Sequence, residues 1–129
     1  MFLAPNSRIP EMTEDAFLRG DCSRCIGLCC VVLAFDRGPL FAFDKGPGEP
    51  CRHLDGCDRC AIHDDLAGRG MGGCAQYDCL GAGQAVTAMF EGRSWRDDDR
   101  VMRDMYDAFI RVREANRQVL TKRLRTGPW

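Results

Sequence analysis

At 129 residues with a formal net charge of −1, the chain fits one domain with a modest core, and its overall charge argues neither for nor against nucleic acid. Hydrophobic residues make up 45%, an ordinary globular share that excludes wholesale disorder. The unusual feature is nine cysteines, a density that needs a reason because free thiols are reactive as well as apolar.

The start, "MFLAPNSRIPEMTEDAF", lacks a basic segment followed by an apolar one, so no secretory signal is expected. No stretch approaches the length of a membrane span. The expected location is therefore cytoplasmic, where thiols stay reduced. An odd cysteine count also leaves one thiol outside any closed disulfide set.

In chain order, Thr13 is a candidate N-cap for a short turn through "EDAFLR", with Phe17 and Leu18 as its buried side and Gly20 as its stop. "CVVLAF" (30–35) and "LFAF" (40–43) are β-prone runs separated by the turn signal "DRGP", which predicts a short hairpin. "DKGPGEP" reads as loop. From Cys51 to Cys79 glycine and cysteine dominate, so this stretch is loop-rich, with one helical turn around "IHDDLAGRG". "GAGQAVTAMFEG" predicts a turn leading into a short helix closed by Gly92. From Asp98 to Arg125 there is neither Gly nor Pro, and Met102, Met105, Phe109, Val112, Val119 and Leu120 recur at helical spacing. Aspartates at its start and Lys122, Arg123 and Arg125 at its end complement the helix dipole, with Gly127 and Pro128 as stop signals. A helix over 99–125 is roughly 40 Å long.

The expected fold is a small metal-stabilised α(+β) domain: a loop-rich, cysteine-rich half with a short hairpin (1–92), then a long C-terminal helix in a helical tail (93–129), together one domain. The thiol-rich half has few large apolar residues, so metal would supply stability that its core lacks. The helix is expected to pack on that half as far as about Val112. Its distal part would project and carry a protein partner or self-association surface. The line through Met102, Met105, Phe109, Val112, Asn116, Val119 and Arg123 is heptad-like, and an Asn in such a seam can fix the register of paired helices.

The cysteines fall as Cys22-x2-Cys25-x3-Cys29-Cys30, Cys51-x5-Cys57-x2-Cys60-x2-His63 and Cys74-x4-Cys79. Two cysteines three apart can turn both sulfurs toward one ion while intervening backbone N–H groups stabilise the thiolates. Paired two-residue spacings separated by a loop are the sequence form of tetrahedral zinc sites. His63 follows Cys60 at ligand spacing, and by the same spacing Cys57 is also a ligand candidate. Any single cysteine also reads as a small buried hydrophobe, but not all nine together. His53 has no such partner. "HDD" at 63–65 reads as solvated acids rather than a catalytic group.

"DCSRCIGLCC", "DKGPGEPC", "RCAIH" and "GCAQYDCLGAGQ" resemble a zinc- or iron-chelating cysteine-rich domain family of CxxC…CC type, and most of all the cysteine-rich module found ahead of pentapeptide repeats. The resemblance covers about residues 20–90. It implies metal ligands at Cys22, Cys25, Cys29, Cys30, Cys51, Cys60, Cys74 and Cys79. Cys57 does not match that pattern, and the broader family carries a tyrosine where His63 stands. Pentapeptide repeats are absent, so whatever they contribute does not transfer.

Eight cysteines make two four-thiolate sites, or an iron–sulfur cluster and a second site. Zinc is the expected cofactor, with an iron–sulfur cluster as the alternative. Adjacent Cys29 and Cys30 diverge, which sends them to different sites or one of them to a bridging role. Arg24, Arg52 and Arg59 are the candidate compensating cations. The expected role is a small interaction or accessory protein whose metal is mainly structural. Electron transfer or enzyme support through a cluster, and metal storage or delivery, are the other two readings. Gly-rich phosphate loops, a Ser/His/Asp set and paired carboxylates are absent, which leans against an enzyme. Six basic residues and only Glu114 as an acid lie in 111–125. Without aromatics among them this is a solvated basic helix face, and nucleic acid is not an expected partner.

Overall fold

The run "LCCVV" is apolar and β-branched, yet it folds as a helical turn and a half, α1 (Leu28–Val32). In the computed structural model, which describes residues 16–125, Leu28, Val31 and Val32 are all buried. They stand at i, i+3 and i+4, and only a helix puts three such residues on one face. Core packing thus overrides strand propensity, and the expected hairpin over 30–35 and 40–43 does not form. What remains of it is a bridge between Phe35 and Lys45, whose backbones exchange N–H···O bonds of 2.9 and 2.8 Å, and a tighter reversal between Gly38 and Phe41. Gly27 starts α1 in the left-handed region at φ 76°, and a Cβ there would stand 2.7 Å from the Leu54 side chain. A glycine is required at that point.

The remaining described helices are α2 (Gly72–Gln76), α3 (Ala82–Met89) and the long α4 (Asp99–Arg125), with 3-10 turns at Cys22–Arg24, His63–Asp65 and Ala67–Arg69. The last two make up the helical character expected around "IHDDLAGRG". The bounds of α4 match the 99–125 expected from periodicity. Asp98 caps it by accepting the Val101 N–H at 2.9 Å. The Thr13 cap and the Gly127–Pro128 stop lie outside the described residues. Of the pair expected to be buried before Gly20, Leu18 is buried and Phe17 is exposed.

Two apolar clusters form the core. In the first, α1, α3 and α4 meet: Leu28, Val31 and Val32 pack with Ala82, Val86, Trp95, Met105 and Phe109. The second lies wholly within the thiol-rich half and joins Phe35, Phe43, Cys51, Ile62 and Met71. Phe35 stacks on Phe41 with ring centroids 4.1 Å apart. The thiol-rich half therefore has a small core of its own, which its composition did not suggest.

Packing of α4 does not stop near Val112. Arg113 Nε donates to the Asp78 carbonyl at 2.9 Å, and buried Asn116 donates through Nδ2 to the Leu80 carbonyl at 2.8 Å. The Asn expected to set register between paired helices instead ties α4 to the loop after Cys79. Asn116→Ala would leave that buried carbonyl unpartnered. We expect a loss of about 1–3 kcal/mol in denaturant unfolding of the chain. Among the described residues no helix is long and apolar enough to cross a membrane.

Candidate metal centre

Each thiol segment is held in place by a residue from elsewhere in the chain. Gln84 on α3 accepts the Asp21 N–H at 3.1 Å and donates to the Arg19 carbonyl at 2.7 Å, clamping the approach to Cys22. Ile26, next to Cys25, donates its N–H to Thr87 Oγ1 at 3.3 Å, and its carbonyl accepts from Trp95 Nε1 at 2.9 Å. Cys51 N–H donates to the Cys30 carbonyl at 2.8 Å, fixing those two thiol segments side by side. Arg96 reaches the Asp55 carbonyl and Asp58, each at 2.8 Å, and so ties the helical half to the loop carrying Cys60.

These anchors gather the thiols. A cavity of about 270 Å³ is lined by seven of the nine cysteines, all but Cys25 and Cys57. An adjoining one of about 240 Å³ takes in Cys25. His63 borders both, from the start of its 3-10 turn, and His53 borders the first. Cys57 lines neither and is exposed. The reason is local: Asp55 Oδ1 accepts the N–H groups of both Cys57 and Arg59, and Asp58 turns left-handed at φ 63°. That tight loop projects Cys57 outward despite its x2 spacing from Cys60.

The two core clusters divide seven of the other eight, and exposed Cys22 lies beside the first of the two groups. Cys25, Cys29 and Cys79 pack against the first cluster, and the field of Cys22 is dominated among cysteines by Cys29 and Cys79. Cys51 belongs to the second, against which Cys30, Cys60 and Cys74 pack. The boundary falls between the adjacent Cys29 and Cys30. Their thiols also hydrogen-bond each other, which draws Cys29 down to about 7 and pushes Cys30 up. The sets therefore diverge in packing but meet at this pair. Among the described residues, no three His, Cys, Asp or Glu side chains converge at the spacing of a closed metal-ligand set.

The chemistry of both donor sets fits a thiophilic cation. All nine cysteines are free thiols. Backbone N–H groups point at the sulfurs: Leu28 N–H at Cys25 Sγ and His53 N–H at Cys51 Sγ, each at 3.5 Å. Burial pushes the Cys25 and Cys60 thiols up, and burial with the charge of Cys29 pushes Cys74 up to about 11. A bound cation reverses that balance, because a coordinating thiol gives up its proton. Helix α3 also leaves a cradle: a Cβ on Gly83 would stand 2.7 Å from Cys25 Sγ and 3.8 Å from Cys79 Sγ. Ala82 and Val86 are fully buried on either side, so α3 cannot retreat. Gly83→Ala is accordingly expected to weaken binding by the Cys22/Cys25/Cys29/Cys79 set and spare the other, read as metal equivalents retained against a chelator.

Of the expected compensating arginines, only Arg59 hydrogen-bonds a cysteine backbone, donating to the Cys22 carbonyl at 2.6 Å. Arg24 pairs with Asp21, and Arg52 stacks over Phe43 at 3.8 Å. Sequence reasoning missed Lys45, which is buried and faces Cys51, Cys30 and Cys29. Its place in the loop run "DKGPGEP" gave no sign of burial.

Two thiol sets on two small cores, joined through one short helix, define a candidate thiolate metal centre. The chain is 45% identical over 93 residues to the "Uncharacterized protein YybG" of Bacillus subtilis (strain 168), a match covering 71% of this chain and 33% of that protein. The chain thus spans about a third of the length of that curated relative. No family model matches the sequence, and no solved structure matches it.

Proposed function

We propose that this chain is a metal-binding, cysteine-rich module in which two thiolate-bound ions, zinc in each case, hold the fold, and that it serves as a small interaction or accessory unit. The observation that carries this is the packing of Cys25, Cys29 and Cys79 against one apolar cluster, with Cys22 beside them, and of Cys30, Cys51, Cys60 and Cys74 in the other. Zinc suits four thiolates in a closed tetrahedral site, and closed sites are structural. Four thiolates per site leave no open position for substrate, which favours a structural role over catalysis. The distal part of α4, residues 117–124, is exposed except at half-buried Val119 and Leu120, and is the part of the long helix left for a partner.

A second reading draws on the size of the cavity. About 270 Å³ bordered by thiols of both sets, with Cys29 and Cys30 meeting at its edge, is more room than one ion fills. An iron–sulfur cluster, which also takes four cysteine thiolates, would use that space. Elemental analysis with an absorbance spectrum, on protein purified without added metal and without oxygen, separates the two. Two zinc per chain and no visible absorbance is the expected result. A brown protein containing iron and acid-labile sulfide would replace zinc with the cluster reading. A folded, colourless chain with no bound metal would end both.

A further inference from the structure

Lys45 is 5% exposed, a rare place for an ammonium. Its Nζ donates to the carbonyls of Val31, at 3.0 Å, Leu33 and Gly46. The first two lie at the C-terminal end of α1, the helix carrying Cys29 and Cys30. Its own backbone is locked to Phe35 on both sides, so the side chain has little freedom to leave. Among the described residues no carboxylate forms an ion pair with it. The anionic groups that face it are Cys51 above all, then Glu49, Cys30 and Cys29. Glu49 is engaged elsewhere, accepting the Gly46 N–H at 2.9 Å.

A buried cation with only carbonyls as partners is costly, and a persistent negative charge nearby removes the cost. Four thiolates around a divalent ion carry net charge −2 and supply it. Arg59 stands near Cys22 in the corresponding place for the other set. On the two-set reading above, we infer that Lys45 is the positioning residue of the Cys30/Cys51/Cys60/Cys74 set: its ammonium fixes the end of α1 and balances the charge of the loaded site. It selects an anionic tetrathiolate centre at that set, two of whose thiols, Cys51 and Cys30, face it, and reaches the other set only through Cys29. A lysine that merely capped α1 would act on stability without distinguishing the two.

The test uses the full chain loaded with zinc and titrated with a chromophoric chelator, which resolves the release of two ions. Lys45→Gln keeps a donor for the carbonyls but removes the charge; Lys45→Arg keeps the charge. Lys45→Gln should release one ion about 10–100-fold more readily and the other by a clearly smaller factor. Lys45→Arg should restore retention. Equal release of both ions by Lys45→Gln and the parent, or failure of Lys45→Arg to rescue a folded protein, overturns the inference. Should the lysine variants not fold, cysteine variants that keep Lys45, with ¹⁵N-labelled lysine, still decide it. The Lys45 ammonium resonance should move in Cys74→Ser and stay in Cys25→Ser, and the reverse or no movement overturns it. If the parent chain binds no zinc, the proposed function itself falls, and the role of Lys45 falls with it.

Discussion

Chelation under reducing conditions is expected to abolish the cooperative unfolding transition of this chain and collapse the dispersed amide spectrum of residues 20–80. Helix α1 is only five residues long, too short to persist alone, yet Leu28, Val31 and Val32 are its contribution to the larger core. What would hold it is ligation on both sides, through Cys25 and Cys29 in one set and Cys30 in the other. The second cluster is smaller still, with Phe35, Phe43, Ile62 and Met71 around Cys51. Structural zinc contributes about 10–16 kcal/mol in small peptide systems, comparable to the whole stability of about 5–15 kcal/mol typical of a domain. Release of α1 would then uncover Met105 and Phe109, both fully buried, and undock α4. Some helical circular dichroism from the 27-residue α4 should survive. A metal-stripped chain that keeps its full amide dispersion and thermal transition would show that the apolar clusters suffice.

The second large effect is a cysteine series that sorts the residues by set. Cys25→Ser and Cys79→Ser should each lose the same ion, and Cys51→Ser and Cys74→Ser the other, since one missing thiolate leaves an incomplete shell. Cys29→Ser and Cys30→Ser, at neighbouring positions, should lose different ions. Cys57→Ser should keep both, because Cys57 is exposed and borders neither cavity. Cadmium substitution, with one ¹¹³Cd resonance per set, reads this directly. A double change such as Cys25→Ser with Cys74→Ser should abolish both resonances and the fold. Loss of both ions from every single change would indicate one shared polynuclear centre. Loss on Cys57→Ser would return that thiol to the ligand set.

Both experiments probe features of very different legibility in the sequence. The long helix is the most readable. Twenty-seven residues without Gly or Pro, acidic at one end and basic at the other, carry their own boundaries, because helix propensity and the dipole act locally. The thiol spacings are also local, and they point to a metal before any fold is known. Tertiary structure alone decided the rest. Val31 and Val32 favour a strand taken singly, and they are helical because α3 and α4 bury the face that only a helix makes. Cys57 has a ligand's spacing and faces away from both cavities because the Asp55–Asp58 turn directs it there. Adjacent Cys29 and Cys30 pack against different apolar clusters, and those clusters join residues from distant parts of the chain. Lys45 reads as an exposed loop residue, and Asn116 as part of a seam between helices. Each is buried because a carbonyl elsewhere in the chain needs a donor, a demand that arises only when the segments pack together.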